Sequence, residues 1–356
     1  MNTIILYSVV GILSVIFAKD ADRREKGNIF FVCLVILLLS LLAGVRSYNV
    51  GIDTKNYVQL FSSIYDEHAS FEKVFIVIIK LISKVTNNYT VLLCLFSVAT
   101  NSLIVIRFWQ LREVASFHWT ILCYYILFYF NTMSGIRQCL AVAMVFFFSR
   151  YIIEEWNPKG FFIGIIFAMF IHRTALIGVL LMAPKFFRET KIHRMKVSQL
   201  LVVIAMPLVA IVGISLVQDR YVTYISQTTS FNLGYMAFVR LILVMLISYQ
   251  LLITYNKQEE NQHYQLGACL FSEYAVLFAV IISYFLPNVW RIGWYFWLYS
   301  PVLYSFYLSK KAYGSTVNVI IRLGIIAILI VTWISIINGF DSKLIPYEFF
   351  WQVNDL

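Results

Sequence analysis

Four arginines stand where a long apolar run begins or ends: Arg46, Arg137, Arg240 and Arg291. Arg137 lies in Ser134-Gly135-Ile136-Arg137-Gln138, between the apolar runs 118–133 and 139–153. A charge inside or at the lip of a membrane segment is costly, so such residues are functional candidates by default. Charge counting in the loops, set out below, places all four on one side of the bilayer. It also puts Arg137, Arg240 and Arg291 in the first turn of helices that begin there. Cations at that position oppose the positive helix N-terminus, whose free amides favour anions. An anion held among the three resolves the conflict, and phosphate suits both helix N-termini and guanidinium forks. The chemistry expected is a phosphate or pyrophosphate site near the outer leaflet. The competing reading of any single arginine is a side chain that snorkels to lipid head groups. Arg46 also follows a helix C-terminus, where a cation is favoured anyway.

A second group offers proton chemistry. His172 and Arg173 interrupt the apolar run 160–184 at its midpoint. An imidazole there suits proton transfer or substrate orientation, and a plain hydrogen bond to a backbone carbonyl is the alternative. Asp53 and Tyr57, in the polar stretch 46–72, can bind sugar hydroxyls or supply a base. Against that stand an Asx-type turn after Gly51 and a tyrosine anchored at the interface. Gln138, Arg173 and Tyr235 are further binding candidates, whereas Glu273 is expected to be a paired or cytoplasm-facing carboxylate and receives no role. No GxxxxGK[ST], no HExxH and no His/Cys cluster with metal spacing occurs, so neither a metal nor a cofactor is expected. Cys33, Cys94, Cys123, Cys139 and Cys269 all fall in apolar runs and read as small core hydrophobes. With no nucleotide site in view, an activated substrate would have to arrive already in the membrane.

The elements that must position these residues follow from composition. Of 356 residues 61% are hydrophobic and 13% charged, and the mean hydropathy is +0.79. Repeated runs of membrane-spanning length then give an all-α, polytopic membrane protein, since barrels need short alternating strands. The net charge of +10 is explained by Lys and Arg gathered in cytoplasmic loops, without recourse to nucleic acid.

Basic loops orient the chain. Span one, 2–18, precedes Lys19, Arg23, Arg24 and Lys26, which puts that loop in the cytoplasm and the N-terminus outside. Nothing at the N-terminal end resembles a cleavable signal, so the first span is expected to be retained. Span two (28–45) exits at Arg46 into an external loop, 46–72. Residues 73–86 carry Lys73, Lys80 and Lys84 on one helical face and read as an interfacial helix whose lysines meet lipid phosphates. Spans follow at 90–106, 118–133 and 138–153. The run 160–184 is flanked by cytoplasmic-looking charges on both sides, which predicts a broken-helix hairpin meeting at His172-Arg173. Further spans are expected at 198–217, 237–255, 266–286, 290–309 and 318–339, with a second external loop at 218–236 and the C-terminus outside. The total is about ten full spans in one domain, 1–356.

At these residues the chain resembles the EpsG/Wzy-type bacterial O-antigen or exopolysaccharide polymerases. The resemblance is carried by Arg46…Val50-Gly51-Ile52-Asp53-Thr54…Tyr57, by Gly135-Ile136-Arg137-Gln138…Ala141, by the segment Ala168 to Ile177 around His172-Arg173-Thr174, and by Arg291 with Tyr295, over about 250 residues. It implies a GT-C-like, metal-independent, inverting glycosyltransferase of the bacterial inner membrane. Donor and acceptor would both be undecaprenyl-pyrophosphate-linked oligosaccharides on the periplasmic face, with membrane lipids and a chain-length regulator as partners and no nucleic acid. On that reading Arg46, Arg137, Gln138, Arg173, Arg240, Arg291, Tyr57 and Tyr235 bind substrate, while His172, Asp53 and Arg137 serve catalysis. An O-antigen ligase, a lipid-linked oligosaccharide flippase or transporter, and a membrane acyltransferase are the competing functions. A ligase usually carries a larger external loop, and a transporter more naturally shows inverted repeats and midplane charges.

Overall fold

Asparagine starts four of the helices. Asn2, Asn28, Asn88 and Asn157 each precede an apolar run, and each side chain accepts a hydrogen bond from a first-turn amide, those of Ile4, Phe30, Thr90 and Gly160. At Asn157 the cap is followed by Pro158, whose fixed φ and missing N–H suit the first helical position. The computed structural model describes residues 2–23, 28–65, 71–188, 234–254, 260–283, 289–309, 316–338 and 343–353. Among them the chain is helical, with a single isolated bridge between Arg46 and Phe349. The α-helices are α1 (Thr3–Asp22), α2 (Ile29–Gly44), α3 (Thr54–Ser62), α4 (Lys73–Ser83), α5 (Tyr89–Gln110), α6 (Phe117–Leu127), α7 (Ile136–Phe148), α8 (Arg150–Ile153), α9 (Pro158–Ile171), α10 (Ala183–Arg188), α11 (Gly234–Thr254), α12 (Glu260–Ile282), α13 (Trp294–Trp297), α14 (Tyr299–Ser309) and α15 (Thr316–Ile337).

Five described helices are long and apolar enough to cross a membrane: Thr3–Asp22, Tyr89–Glu113, Ile136–Ile153, Tyr264–Ile282 and Thr316–Ile337. Several other apolar runs are broken. Helix α6 gives way to a 3₁₀ turn at Tyr129–Met133, and the run from 290 opens as 3₁₀ at Val289–Gly293 before α13 and α14. The expected span 198–217 and most of the loop 218–236 lie outside the described residues.

The segment 160–184 doubles back. Helix α9 ends at His172, in extended backbone (φ −153°, ψ 116°), and a 3₁₀ helix, Arg173–Met182, returns beside it. Gly178 packs directly on Ile165 and Val145, and the Lys185 ammonium sits 5.0 Å from the Trp156 ring centre, back at the start of α9. His172 is thereby left at the tip of a turn. The stretch 46–72 is not simply a loop, because it contains α3. Tyr57, Val58, Leu60 and Phe61 of this helix, with Ile64 in the turn after it, are buried there, packed with Phe75 and Ile79 of α4, Leu92, Leu93 and Phe96 of α5, and Ile136. This small core is separate from the large one between the long helices. It carries one half of the site described below.

The same end of the bundle holds the chain's two extremities. The Tyr347 amide donates to Thr3 Oγ1 (2.9 Å), Tyr7 donates to the Leu344 carbonyl (2.7 Å) and Tyr347 to that of Leu42 (2.7 Å). The Ser47 amide donates to the Glu348 carbonyl (2.8 Å) and Gly51 to Lys343 (2.8 Å), which straps the 45–51 turn in place. Gly51 has φ +94°, and a Cβ there would lie 2.3 Å from the Met133 carbonyl oxygen. Gly51→Ala is therefore expected to destabilise the fold by at least about 1–3 kcal/mol, read as a lowered thermal midpoint of the purified protein.

Candidate functional site

Arg46 organises the turn that bears Asp53. Its side chain is fully buried, and the guanidinium donates to the carbonyls of Ala43, Val50 (3.3 Å) and Met133 (2.8 Å). Thr54 Oγ1 donates to the Val50 and Met133 carbonyls (2.7 and 3.0 Å), and the Ile52 amide to Ser134 Oγ (3.3 Å). These bonds sew the 46–54 turn onto the segment leading into Arg137. Arg46 is thus a structural cation whose donors are spent on main chain, a correction to its expected place in an anion cage. Removing it strands buried carbonyls, and each buried acceptor left without a donor costs about 1–3 kcal/mol. Arg46→Ala is accordingly expected to lower the yield of folded protein in detergent, before any question of activity arises.

Glu72, which the sequence reading passed over, gathers three of the candidates. It immediately precedes α4, and its carboxylate pairs with Arg137, accepts from the Arg173 amide (3.1 Å) and lies 3.3 Å from His172 Nδ1. The Arg137 guanidinium also lies over the rings of Phe71 and Phe75, 4.8 and 5.3 Å from their centres. Burial opposes ionisation of Glu72, but the His172 hydrogen bond, Arg137 and the Arg173 amide outweigh it and hold the carboxyl at about 2. An ionised carboxylate only accepts, so His172 Nδ1 must carry the hydrogen, which leaves Nε2 with its lone pair. A carboxylate that fixes the tautomer of an imidazole is the arrangement a general base requires. The Arg173 side chain itself is exposed.

The second half of the site is built on Arg291. It lies in a 3₁₀ turn, Val289–Gly293, not in the first turn of an α-helix, so the helix N-terminus argument does not apply to it. Its Nη1 is 3.3 Å from Asp53 Oδ2, its buried Nε has no hydrogen-bond partner among the described residues, and the guanidinium rests near the rings of Trp290 and Trp294. Gln138 Nε2 donates to the Arg291 carbonyl (2.8 Å), so the residue beside Arg137 fixes the turn that carries Arg291. Tyr57 feels Arg137, Asp53 and Arg291 together, and burial pushes its hydroxyl up to about 12, leaving a neutral phenol. Thr174 and Tyr295 share a hydrogen bond (2.9 Å) that ties the His172 turn to α13. Both arginines of the site therefore come with a carboxylate, Arg137 with Glu72 and Arg291 with Asp53, where bare cations were expected.

Arg240 corrects the expectation further. It is the seventh residue of α11, not in its first turn, and is buried. It binds Glu273 Oε1 through Nε (3.0 Å) and Nη2 (2.8 Å). Ser300 and Tyr304 also donate to Glu273, and Trp297 lies 5.0 Å away. Arg240 and Arg291 nonetheless line one cavity of about 390 Å³. Its wall is mostly apolar, with Phe128, Leu277, Val280, Trp297 and Ile328 among the lining groups, and Ile52 and Ser134 contribute as well. The Tyr235 side chain lies outside the described residues.

No curated protein and no solved structure matches the chain. The family model described as the EpsG family matches residues 29–349, which contain every candidate above. That family suggests a polysaccharide-polymerase type of function, with a glycosyltransferase-like activity, in a membrane protein of polysaccharide biosynthesis. With Arg46, Asp53, Arg137, His172 and Arg291 all within the matched span, the chain belongs to the EpsG family.

Proposed function

We propose that this protein transfers a growing glycan from a polyprenyl-pyrophosphate carrier to a new lipid-linked repeat, at the periplasmic face of a bacterial inner membrane. The observation that carries the proposal is Arg291, a partly exposed cation held by one contact to Asp53, on the wall of a mostly apolar cavity. A lipid pyrophosphate pairs one anionic group with apolar tail, and this site pairs guanidinium with apolar wall. Arg291 binds the donor pyrophosphate, displacing Asp53, and stabilises the charge that builds on it as the glycosidic bond breaks. The acceptor hydroxyl attacks the anomeric carbon, its proton passes to His172 Nε2, and the carrier pyrophosphate departs with the bonding electrons. Attack from the face opposite the leaving group inverts that carbon. Asp53 and Tyr57 then hold acceptor or donor hydroxyls. Arg137 keeps Glu72 ionised and faces the same site.

Deleting the gene separates this reading from its rivals. Loss of a polymerase leaves surface glycan capped with one repeat, loss of a ligase leaves bare core, and loss of a flippase traps the lipid-linked repeat inside. Complementation with Arg137→Ala is expected to restore expression and single-repeat product but not polymer. Full-length polymer from that variant overturns its role.

A further inference from the structure

Helix α4 has two apolar faces, and among the described residues only one is packed against the rest of the protein. Phe75 and Ile79 are fully buried in the small core. On another side Val74, Val77 and Leu81 are 38, 53 and 58% exposed, and Val85, in the turn that follows the helix, is 87% exposed. At about 100° per residue, Lys73, Lys80 and Lys84 fall within about 40° of one another, in a row that flanks this exposed stripe. None of the three is ion-paired among the described residues, and Lys80 lies over the Tyr65 ring at 5.9 Å. A stripe of three large aliphatics, extended by Val85 in the following turn, beside a row of cations matches a helix lying in a leaflet, hydrocarbon on one side and phosphates on the other. The residue that begins this helix is Glu72, its N-cap, whose carboxylate holds Arg137, His172 Nδ1 and the Arg173 amide.

Resting on the outer-face reading above, we infer that α4 is a lipid-seated mount for Glu72, its lysines held by anionic phospholipid head groups so that the leaflet's charge governs the order of the Glu72–His172–Arg173 contact. Phosphates along the lysine row fix the helix in depth and rotation. Because Glu72 is rigidly joined to its first turn, losing that anchorage loosens the carboxylate from the His172 turn, which belongs to a different part of the chain.

The test uses the full chain in phosphatidylcholine vesicles with or without phosphatidylglycerol, followed by amide hydrogen exchange. The Arg173 amide, which donates to Glu72, reports the contact without requiring turnover. Phosphatidylglycerol is expected to slow exchange at Arg173 and in the first turn of α4 about tenfold, and the response should vanish in the triple variant Lys73→Gln, Lys80→Gln, Lys84→Gln. Equal exchange in the two lipids, or a triple variant that responds like the parent, overturns the inference. Should the triple variant fold poorly, the parent's lipid response alone decides. Polymerisation measured in the same vesicles keeps the two proposals apart. A lipid response in exchange with no polymer in any lipid removes the polymerase reading, and polymer with no exchange response removes the lipid-seated mount.

Discussion

Arg291→Ala is expected to reduce polymer formation at least about a thousandfold while leaving the folded protein intact. The magnitude follows from the task assigned to it: removing one preorganised group that meets developing charge typically costs about a hundred- to a thousandfold in turnover, and a guanidinium carries full charge. Stability should hardly change, because the Arg291–Asp53 pair is partly exposed and made through one contact at 3.3 Å, with 31% and 24% of the two side chains accessible. Pairs of that kind contribute little to folding. Arg291→Lys keeps the charge but loses the fork, so partial activity with weakened donor binding is expected. The measurement is polymer length on a gel from purified lipid-linked repeats, alongside the thermal midpoint of each variant. Wild-type polymer from Arg291→Ala would take the pyrophosphate out of this pocket, since Arg240 is the other guanidinium on the wall and is already committed to Glu273. A collapse of the thermal midpoint instead would assign Arg291 to the scaffold alongside Arg46.

Much of this arrangement was visible in the residue types, and the misses have physical causes. Hydropathy gives the helices because backbone in lipid must satisfy itself. The break at His172-Arg173 shows because an imidazole beside a guanidinium is costly mid-run on a lipid-facing helix. What hydropathy cannot show is which partner a charge finds. Arg46, Arg137, Arg240 and Arg291 look alike along the chain, yet one is consumed by carbonyls, one is locked to Glu273, and two meet carboxylates at the site. Those partners lie 33 to 238 residues away, or on a turn folded back upon itself. Helix α3 escapes hydropathy because its apolar face, Tyr57, Val58 and Phe61, is short and embedded in polar sequence. Glu72 was missed because a lone carboxylate before a lysine-bearing helix reads as an ordinary helix N-terminal acid. Its significance comes from the 100-residue contact with His172.

Glu72→Gln should be nearly as damaging to turnover as loss of His172 itself, by about a hundred- to ten-thousandfold. A carboxylate accepts the Nδ1 hydrogen and so keeps Nε2 free to take a proton. The amide of a glutamine can turn its NH₂ towards Nδ1, which favours the opposite tautomer and blocks Nε2 with a hydrogen. Glu72 touches no reacting atom in this scheme and is a positioning residue. Its effect must therefore disappear when its object is gone: on a His172→Ala background, Glu72→Gln is expected to change residual turnover by less than about threefold. Independent, multiplying effects would show that Glu72 does not act through the imidazole. Stability supplies a second readout with a definite sign. The carboxyl is held at about 2 against an ordinary 4.5, so its contribution is fully present above 4.5 and fades as the pH falls towards 2. Thermal midpoints taken from pH 6 downward should thus decline more steeply for the parent chain than for Glu72→Gln, which has no proton to take up at this position. Parallel curves would mean that the Arg137, His172 and Arg173 contacts do not hold the carboxylate in its charged form, and the imidazole would then lose the partner that sets its tautomer.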